Sequence, residues 1–255
     1  MMDAQADKNS GPRIICVSSG KGGVGKTSVA VNVSSAMARE GKKVLLVDGD
    51  LGLANVDIVL GINARHTLRE AVENGMPLMD ILVRIDPNFF VLPASSGVPE
   101  MASLAYEEQA FLTSALEEVA GAFDYVLLDT AAGIGDSVLW FNQWADNNIV
   151  VMSPDPTSMT DAYALIKVLN KQYDKSAFHL LINSVKSKKE GREVFNGIAA
   201  VLKKFLDIEP ALLGIIPQDS HVSRAIRTQK PFVNNDPEAR ASKAVRQLGK
   251  AVFAL

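Results

Sequence analysis

The chain has 255 residues, of which 47% are apolar and 22% are charged, and its formal net charge is −3. A chain of this size can bury a substantial core, and the small net charge gives no overall case for nucleic-acid binding. The single cysteine, Cys16, allows no disulfide within one chain, and the first residues are too polar for a secretory signal. No apolar run approaches ~20 residues, so we expect a cytoplasmic protein without a membrane-spanning helix.

The first motif is a glycine-rich loop between a short apolar run, residues 14–17, and a segment with helical spacing. Gly20 is followed by four residues and then by Gly25, Lys26 and Thr27, which is the spacing of a P-loop. Glycines let backbone N–H groups turn toward a polyphosphate, and the N-terminus of the next helix adds its unpaired donors. Lys26 is predicted to bridge the β- and γ-phosphates, and the Thr27 hydroxyl to ligate Mg²⁺.

We expect a bound nucleotide to contact the whole loop, namely Gly20, Lys21, Gly22, Gly23, Val24, Gly25, Lys26, Thr27 and Ser28. The same letters also spell G-x-G-x-x-G, and Asp48 ends the next apolar run, where a dinucleotide-binding fold has its ribose-binding acid. That alternative gives no function to Lys26 and Thr27. The loop therefore favours a nucleoside triphosphate site.

Apolar runs and helical segments alternate along the rest of the chain. We predict strands at residues 14–17, 44–47, 89–92, 125–128, 149–152, 179–182 and 212–216. We predict helices at residues 26–39, 107–120, 158–172, 193–205 and 239–252. Because most of the runs are unbroken, they are typical of strands that are covered on both faces. The pattern predicts a single α/β P-loop NTPase domain over residues 14–255, with a mostly parallel central sheet, helices on both faces and a flexible segment at residues 1–13.

Carboxylates follow two of the predicted strands, at the edge where ligands of a parallel sheet collect. Asp48 and Asp50 share one face of an extended segment, so one could support a Mg²⁺ shell while the other orients a water at the γ-phosphate. Asp129 ends its apolar run as a Walker B acid does, and at Gly133 the backbone could approach the γ-phosphate. The predicted metal site consists of Thr27, Asp48 and Asp129.

Polar side chains and a proline follow three further predicted strands. Asp155 follows the fifth strand, Asn183 the sixth, and Pro217 and Asp219 the seventh. An amide and a carboxylate at these positions could read the hydrogen-bonding edge of an adenine, although turn residues are equally expected there. The last predicted helix opposes apolar and basic faces, which fits either a helix that closes the core or an interfacial anchor. Its alanine-rich apolar face favours core closure.

The chain resembles the deviant-Walker P-loop ATPases that are typified by MinD and ParA. Lys21, in Lys-Gly-Gly-Val-Gly-Lys-Thr, matches the additional lysine of that family. Within the family, the segments at residues 50–57, 130–138 and 156–170 are most similar to the flagellar-number regulators of the FlhG and FleN type. The resemblance extends over roughly residues 14–250 and therefore covers the whole predicted domain.

The resemblance implies that ATP and Mg²⁺ drive a homodimer in which Lys21 of each subunit contacts the phosphates of the other. It implies catalytic functions for Lys21, Lys26 and Asp50, with Asp50 positioning the hydrolytic water, and a Mg²⁺ function for Asp129. It also implies that Asp155 faces the other subunit, and it assigns Asn183, Pro217 and Asp219 to the adenine side. Hydrolysis to ADP would return the dimer to monomers.

The function that the resemblance implies is an ATP-gated switch that regulates flagellar number or placement. Its expected partners are a flagellar transcription activator or a flagellar GTPase. The alternative is a MinD-type division-site factor or a ParA-type DNA-partition ATPase. The low basic charge argues against specific nucleic-acid binding, and we expect at most weak, peripheral contact with the inner face of the cell membrane or the pole.

Two further functions are compatible with the same fold. An iron–sulfur carrier requires paired cysteines, and the single Cys16 excludes it. A P-loop biosynthetic enzyme requires an additional substrate pocket, which the sequence does not identify.

Overall fold

The structure is a computed structural model that describes residues 11–95 and 104–255. Its strands are β1 (Arg13–Ser19), β2 (Val44–Gly49), β3 (Val83–Asp86), β4 (Phe89–Leu92), β5 (Tyr125–Ala132), β6 (Asn147–Met152), β7 (Phe178–Val185) and β8 (Ala211–Pro217). They form one sheet in the order β3-β4-β2-β5-β1-β6-β7-β8, and only β3 and β4 pair in antiparallel fashion. The predicted mostly parallel sheet is confirmed. The predicted flexible segment, residues 1–13, lies mostly outside the described residues, and its boundary remains a prediction.

The helices surround the sheet. They are α1 (Lys26–Arg39), α2 (Val56–Leu60), α3 (Leu68–Asn74), α4 (Leu78–Ile81), α5 (Tyr106–Ala120), α6 (Asp136–Trp144), α7 (Pro156–Tyr173), α8 (Lys188–Leu206), α9 (Ser220–Arg227), α10 (Phe232–Asn235) and α11 (Arg240–Val252). All five predicted helices are present. Helix α8 differs most from its prediction, because it begins at Lys188, five residues before the predicted start. Its start is fixed by Ser187, whose hydroxyl accepts a hydrogen bond from the Glu190 N–H. None of the helices among the described residues is long and apolar enough to cross a membrane.

The core lies on both faces of the sheet, as the unbroken apolar runs predict. Ile15 and Val17 of β1 pack in one cluster with α1 and α11, whereas Cys16 between them packs in another with α5 and α6. Val245 and Leu248 of α11 are buried in the first cluster. The last predicted helix therefore closes the core, as its alanine-rich face favoured, and does not present this face to a membrane.

The strand register brings the predicted acids to one place. On the central strands, Asp48 of β2 lies directly opposite Asp129 of β5, and Val17 of β1 lies opposite Asp129 on its other side. Neighbouring strands are about 4.8 Å apart, so the two carboxylates are close neighbours at the carboxyl edge of the sheet. The P-loop starts at Gly20, three residues beyond Val17 and directly after the adjacent strand. The fold thus places the glycine loop and both acids at a single edge.

Candidate nucleotide-binding site

The glycine loop folds as a P-loop cradle in which two glycines are required. Gly25 has φ +86° in the left-handed region and directly precedes α1, so the loop turns sharply into the helix. A Cβ atom on Gly25 would also lie 2.5 Å from Nδ2 of Asn183. A Cβ atom on Gly20 would lie 2.1 Å from the carbonyl carbon of Asp161 in α7. Glycine at these positions lets the loop pack against both α7 and the end of β7.

Two adjoining cavities form a continuous cleft over this loop. One has a volume of about 340 Å³ and is lined by Lys21 to Ser28, Asp50, Asn55 and Ala132. The other has a volume of about 670 Å³ and is lined by Asn183, Pro217, Asp219, Phe232 and Arg240, among others. Both include Gly23, Val24, Gly25, Ser28 and Ile226 in their walls. We call them the phosphate cavity and the base cavity, because the P-loop surrounds the first and the predicted adenine-side residues line the second.

The P-loop lysine already has a partner inside the protein. Lys26 Nζ lies 2.8 Å from Oδ1 of Asp129, and both side chains are buried. The second oxygen of Asp129, Oδ2, is buried and has no hydrogen-bond partner among the described residues. A buried carboxylate oxygen without a donor is suited to ligate a cation, because Mg²⁺ prefers oxygen ligands. Asp129, together with Thr27 in the wall of the phosphate cavity, therefore suits the predicted metal site.

The two acids after β2 differ in what their side chains do. Asp48 is buried, and its two oxygens accept hydrogen bonds from the N–H groups of Asp50, Asn55 and Val56 at 3.0–3.2 Å. Burial, and next the charge of Asp129, raise the pKa of Asp48 to about 7. Its position opposite Asp129 is compatible with the predicted metal function, but its present contacts organise the loop that follows β2.

Asp50 lines the phosphate cavity, as its predicted function requires. One of its oxygens accepts a hydrogen bond from the Leu53 N–H at 3.1 Å, and partial burial raises the pKa of its carboxyl group. Gly133 has φ +97°, but its N–H already donates to the Ser19 carbonyl oxygen at 2.9 Å. A contact from the Gly133 N–H to a γ-phosphate would therefore require this hydrogen bond to be exchanged.

Lys21 is held within its own chain by the start of α7. Its Nζ lies 2.6 Å from Oδ2 of Asp155 and also donates to the Thr157 hydroxyl. The other oxygen of Asp155 accepts a hydrogen bond from the Thr157 N–H at 2.9 Å and so caps α7. The hydrogen bond from Lys21, followed by those from Thr157, lowers the pKa of Asp155 to about 2. No local pattern indicates this pairing, because the two residues are 134 positions apart.

In the base cavity, Asn183 is fastened to the P-loop. Its Nδ2 donates to the Val24 carbonyl oxygen at 2.7 Å, and Ser184 beside it has a left-handed φ of +61°. Pro217 ends β8 in the same wall. Sequence reasoning did not identify Phe232 or Arg240 as lining residues, because both lie in segments without a motif.

Asp219 has no unoccupied oxygen in the base cavity. Its Oδ1 accepts hydrogen bonds from the His221 N–H and ring, and its Oδ2 accepts one from the Ala241 N–H. Although burial opposes ionisation, these hydrogen bonds lower the pKa of Asp219 to about 2. The carboxylate thus fixes the starts of α9 and α11 beside the cavity. A direct contact to adenine remains a prediction and would have to share these oxygens.

A glycine cradle, a buried lysine at a helix N-terminus and acids at adjacent strand ends define a P-loop nucleotide hydrolase. A family model described as ParA, NUBPL iron-transfer P-loop NTPase, matches residues 11–253. The chain therefore belongs to the ParA family of P-loop ATPases, which includes the MinD type.

Individual relatives and structures agree with this assignment. The antiactivator FleN of Pseudomonas aeruginosa is 40% identical over 94% of this chain and 86% of its own length. The flagellum site-determining protein YlxH of Helicobacter pylori is 31% identical over 95% of this chain and 82% of its own length. Among solved structures, the septum site-determining protein MinD of Pyrococcus horikoshii in complex with Mg-ADP has a TM-score of 0.77 at 26% identity, with 94% of this chain and 96% of that chain covered.

Proposed function

We propose that this protein is an ATP-dependent dimerising switch that regulates flagellar number or placement, as an antiactivator of flagellar gene expression. The observation that carries the proposal is the 40% identity to the antiactivator FleN over 94% of this chain, together with a complete P-loop site. The flagellum site-determining protein YlxH supports the same biological context. An iron-transfer function has no support in the site, because the only cysteine, Cys16, is buried in the core.

The proposed ligands are ATP and ADP with Mg²⁺. The phosphates would lie on the P-loop beside Lys26 and Thr27, and the adenine in the base cavity beside Asn183 and Pro217. Mg²⁺ neutralises phosphate charge when it is bound, and Thr27 and Asp129 would hold it, with Asp48 supporting the site from the neighbouring strand. The MinD structure with Mg-ADP supports this choice of ligand for the family.

In the proposed hydrolysis, the side chain of Asp50 orients the attacking water from its place in the wall of the phosphate cavity. Lys26 stabilises the charge that develops on the phosphates, as preorganised cations do in water-excluded sites. To do so, Lys26 has to exchange part of its contact with Asp129 for the phosphates. Nucleotide binding would therefore rearrange a buried ion pair that exists beforehand.

The proposed dimer forms when Lys21 leaves Asp155 and contacts the phosphates bound to the other subunit. Shifting a monomer–dimer preference from about 1:99 to 99:1 requires about 5.5 kcal/mol of differential binding. An ammonium group about 4 Å from a phosphate oxygen supplies about 4 kcal/mol at an effective dielectric constant near 20, before desolvation, and symmetry provides two such contacts. Two such contacts are of the size that the switch requires, while desolvation and the loss of the Asp155 contact in each subunit count against them.

The proposed partners are a flagellar transcription activator, a flagellar GTPase or both, in the cytoplasm. We propose no specific nucleic-acid ligand and at most weak, peripheral contact with the inner face of the cell membrane or the pole. A MinD-type division-site function or a ParA-type partition function would use the same chemistry with another partner.

Light scattering coupled to gel filtration, with ADP and with ATP, tests the switch. We expect monomers with ADP, dimers with ATP, and no dimers for Lys21→Ala, which should still bind nucleotide. Dimers that persist in Lys21→Ala would contradict the proposed contact between subunits. The ATP-bound dimer is then used in a pull-down that compares a flagellar transcription activator with division and partition proteins. Selective capture of the division or partition proteins would replace the flagellar proposal by the alternative.

A further inference from the structure

The loop that carries Asp50 is fastened at both of its ends by one side chain. The Asp48 carboxylate accepts hydrogen bonds from the Asp50 N–H at the start of the loop and from the Asn55 and Val56 N–H groups at its end. We call residues 50–55 the Asp50 loop. These hydrogen bonds fix the shape of the loop. The loop continues directly into α2, a helix of only five residues. A helix this short is not stable by itself, so tertiary contacts must hold it in place.

Gln229 supplies such a contact from the other side of the cleft. Its Nε2 donates to the Ile58 carbonyl oxygen in α2 at 3.1 Å. The last carbonyl groups of a helix have no partner within the helix, so this hydrogen bond satisfies one of them. Gly61 caps the C-terminus of α2, and a Cβ atom there would lie 2.9 Å from the Cβ atom of Gln229. Gln229 therefore packs directly on the end of the helix that follows the Asp50 loop.

The backbone of Gln229 has a conformation that glutamine seldom adopts. Its φ is +54°, in the left-handed region that favours glycine or asparagine. The N–H groups of Gln229 and Lys230 donate to the carbonyl oxygens of Ile226 and Ala225 at 3.2 Å and so end α9. A glycine would satisfy this turn at lower cost. The side chain, which reaches α2, is what glutamine adds at the position.

Helix α9 connects this contact to the nucleotide cleft. The helix is capped by Asp219 in the base cavity, and Ile226 in its last turn lines both cavities. Gln229 lies three residues further and holds α2. We infer that Gln229 is a positioning residue for hydrolysis, which couples the base side of the cleft to the Asp50 loop through the hydrogen bond to Ile58. This inference rests on the proposed function of Asp50 as the residue that orients water.

Two substitutions separate the contact from the fold. Gln229→Asn keeps an amide and suits the left-handed backbone, but its side chain is one methylene shorter and does not reach Ile58. Gln229→Glu keeps the length but replaces the donor with an acceptor, which repels the Ile58 carbonyl oxygen. Gln172→Ala, an exposed glutamine on α7, is the matched control. We expect kcat for ATP hydrolysis to fall about three- to tenfold in both Gln229 variants, because without this hydrogen bond the Asp50 loop occupies the geometry that hydrolysis requires for a smaller fraction of the time.

Three quantities should change less than about twofold in the variants: the Kd for ADP, the KM for ATP and the ATP concentration for half-maximal dimerisation. The control should match wild type in all of them. Amide hydrogen exchange in the Mg-ADP complex gives a second readout, because residues 55–60 should exchange about three- to tenfold faster in the variants. An unchanged kcat with unchanged exchange would overturn the inference. So would a loss of ADP affinity equal to the loss of kcat, or a loss of the dimer, because Gln229 would then serve the pocket or the subunit contact.

Asp50→Ala is measured in parallel. Wild-type hydrolysis by Asp50→Ala would contradict the proposed function of Asp50, whereas the hydrogen-exchange comparison would still decide whether Gln229 holds α2.

Discussion

The two ends of the nucleotide cleft are prepared for a ligand in opposite ways. At the phosphate end, both lysines of the P-loop are paired within the chain, Lys26 with Asp129 at 2.8 Å and Lys21 with Asp155 at 2.6 Å. At the base end, a 670 Å³ cavity is open, and three of the polar side chains in its wall, Asn183, Asp219 and Arg240, are hydrogen-bonded to the surrounding protein. Asn183, for example, is hydrogen-bonded to the P-loop itself. A nucleotide would therefore compete with internal carboxylates for the lysines at the phosphate end, whereas at the base end it would enter a cavity that is already formed.

This difference indicates which part of the ligand carries the signal. Binding at a preorganised pocket requires little rearrangement, so we expect the base end to bind ATP and ADP alike. Phosphates have to displace or share internal carboxylate partners, and the outcome depends on how much phosphate charge is present. A ligand shifts an equilibrium only by its differential affinity for the two states. We therefore expect any sensitivity to the γ-phosphate at the phosphate end, and substitutions there should have the larger effects.

Lys26→Ala should have the largest effect. We expect the Kd for ATP to rise at least ~100-fold, because two charge-assisted hydrogen bonds of about 1.5–3 kcal/mol each are lost. The variant also leaves Asp129 buried without its cation, which should lower the free energy of unfolding by about 3–5 kcal/mol. Calorimetric titration and urea denaturation measure the two effects. The double variant with Asp129→Asn should recover stability without recovering ATP binding, and ATP binding by Lys26→Ala within tenfold of wild type would contradict the phosphate end as assigned.

Asp50→Ala should affect chemistry but not binding. We expect kcat to fall about 10²- to 10⁴-fold, the usual range for a group that orients or deprotonates a water, while the Kd for ADP changes little. Because hydrolysis then no longer separates the subunits, the ATP-bound dimer should persist in gel filtration. Asp80→Ala, an exposed acid on α4 outside the cleft, is the control and should hydrolyse ATP normally. An Asp50→Ala variant that stays monomeric with ATP would show that hydrolysis and assembly are not linked as proposed.

Asp155→Asn should have a smaller effect. It tests whether Asp155 holds Lys21 back within its own chain or contributes to the contact between subunits. Asparagine caps a helix as well as aspartate does, so α7 is maintained while the ion pair to Lys21 is lost. We expect the ATP concentration for half-maximal dimerisation to fall by a few-fold, because Lys21 no longer has to leave a partner. Light scattering over an ATP titration measures this concentration. An increase would indicate instead that Asp155 contributes to the contact between subunits, as the family resemblance implied.

Sequence reasoning succeeded where one short segment determines the structure. The P-loop depends on spacing within nine residues, and seven strands were predicted because buried parallel strands are unbroken apolar runs. Strand β3 was missed, since Val83–Asp86 is short and alternates apolar and charged residues in a partly exposed edge. Helix α6 was missed as well, because its nine residues follow a glycine-containing turn without a capping side chain.

The site was less predictable where it depends on strand register or on distant elements. The sequence placed Asp48 and Asp50 on one face but could not assign their different functions. The structure distinguishes them because Asp48 is buried within β2, opposite Asp129, whereas Asp50 lies beyond the end of the strand. The pairing of Lys21 with Asp155 depends on where α7 begins relative to the P-loop. No local pattern contains that information.

Ser184→Gly at the base end should have the smallest effect, and it tests whether that end is held rigidly at a cost. Ser184 has φ +61° where the register between β7 and β8 shifts. A non-glycine residue in the left-handed region destabilises the fold by about 1–2 kcal/mol, and glycine removes this strain. Because glycine is also more flexible in the unfolded chain, about 0.5–1 kcal/mol of that gain is lost. We therefore expect the free energy of unfolding, measured by urea denaturation, to rise by about 0.5–1 kcal/mol. Ser184→Ala, which keeps the strain, should give no gain. Affinity for ADP should stay within about twofold, because Asn183 remains fastened to Val24. Destabilisation by the glycine would show that the Ser184 side chain, and not only the backbone, holds the wall of the base cavity.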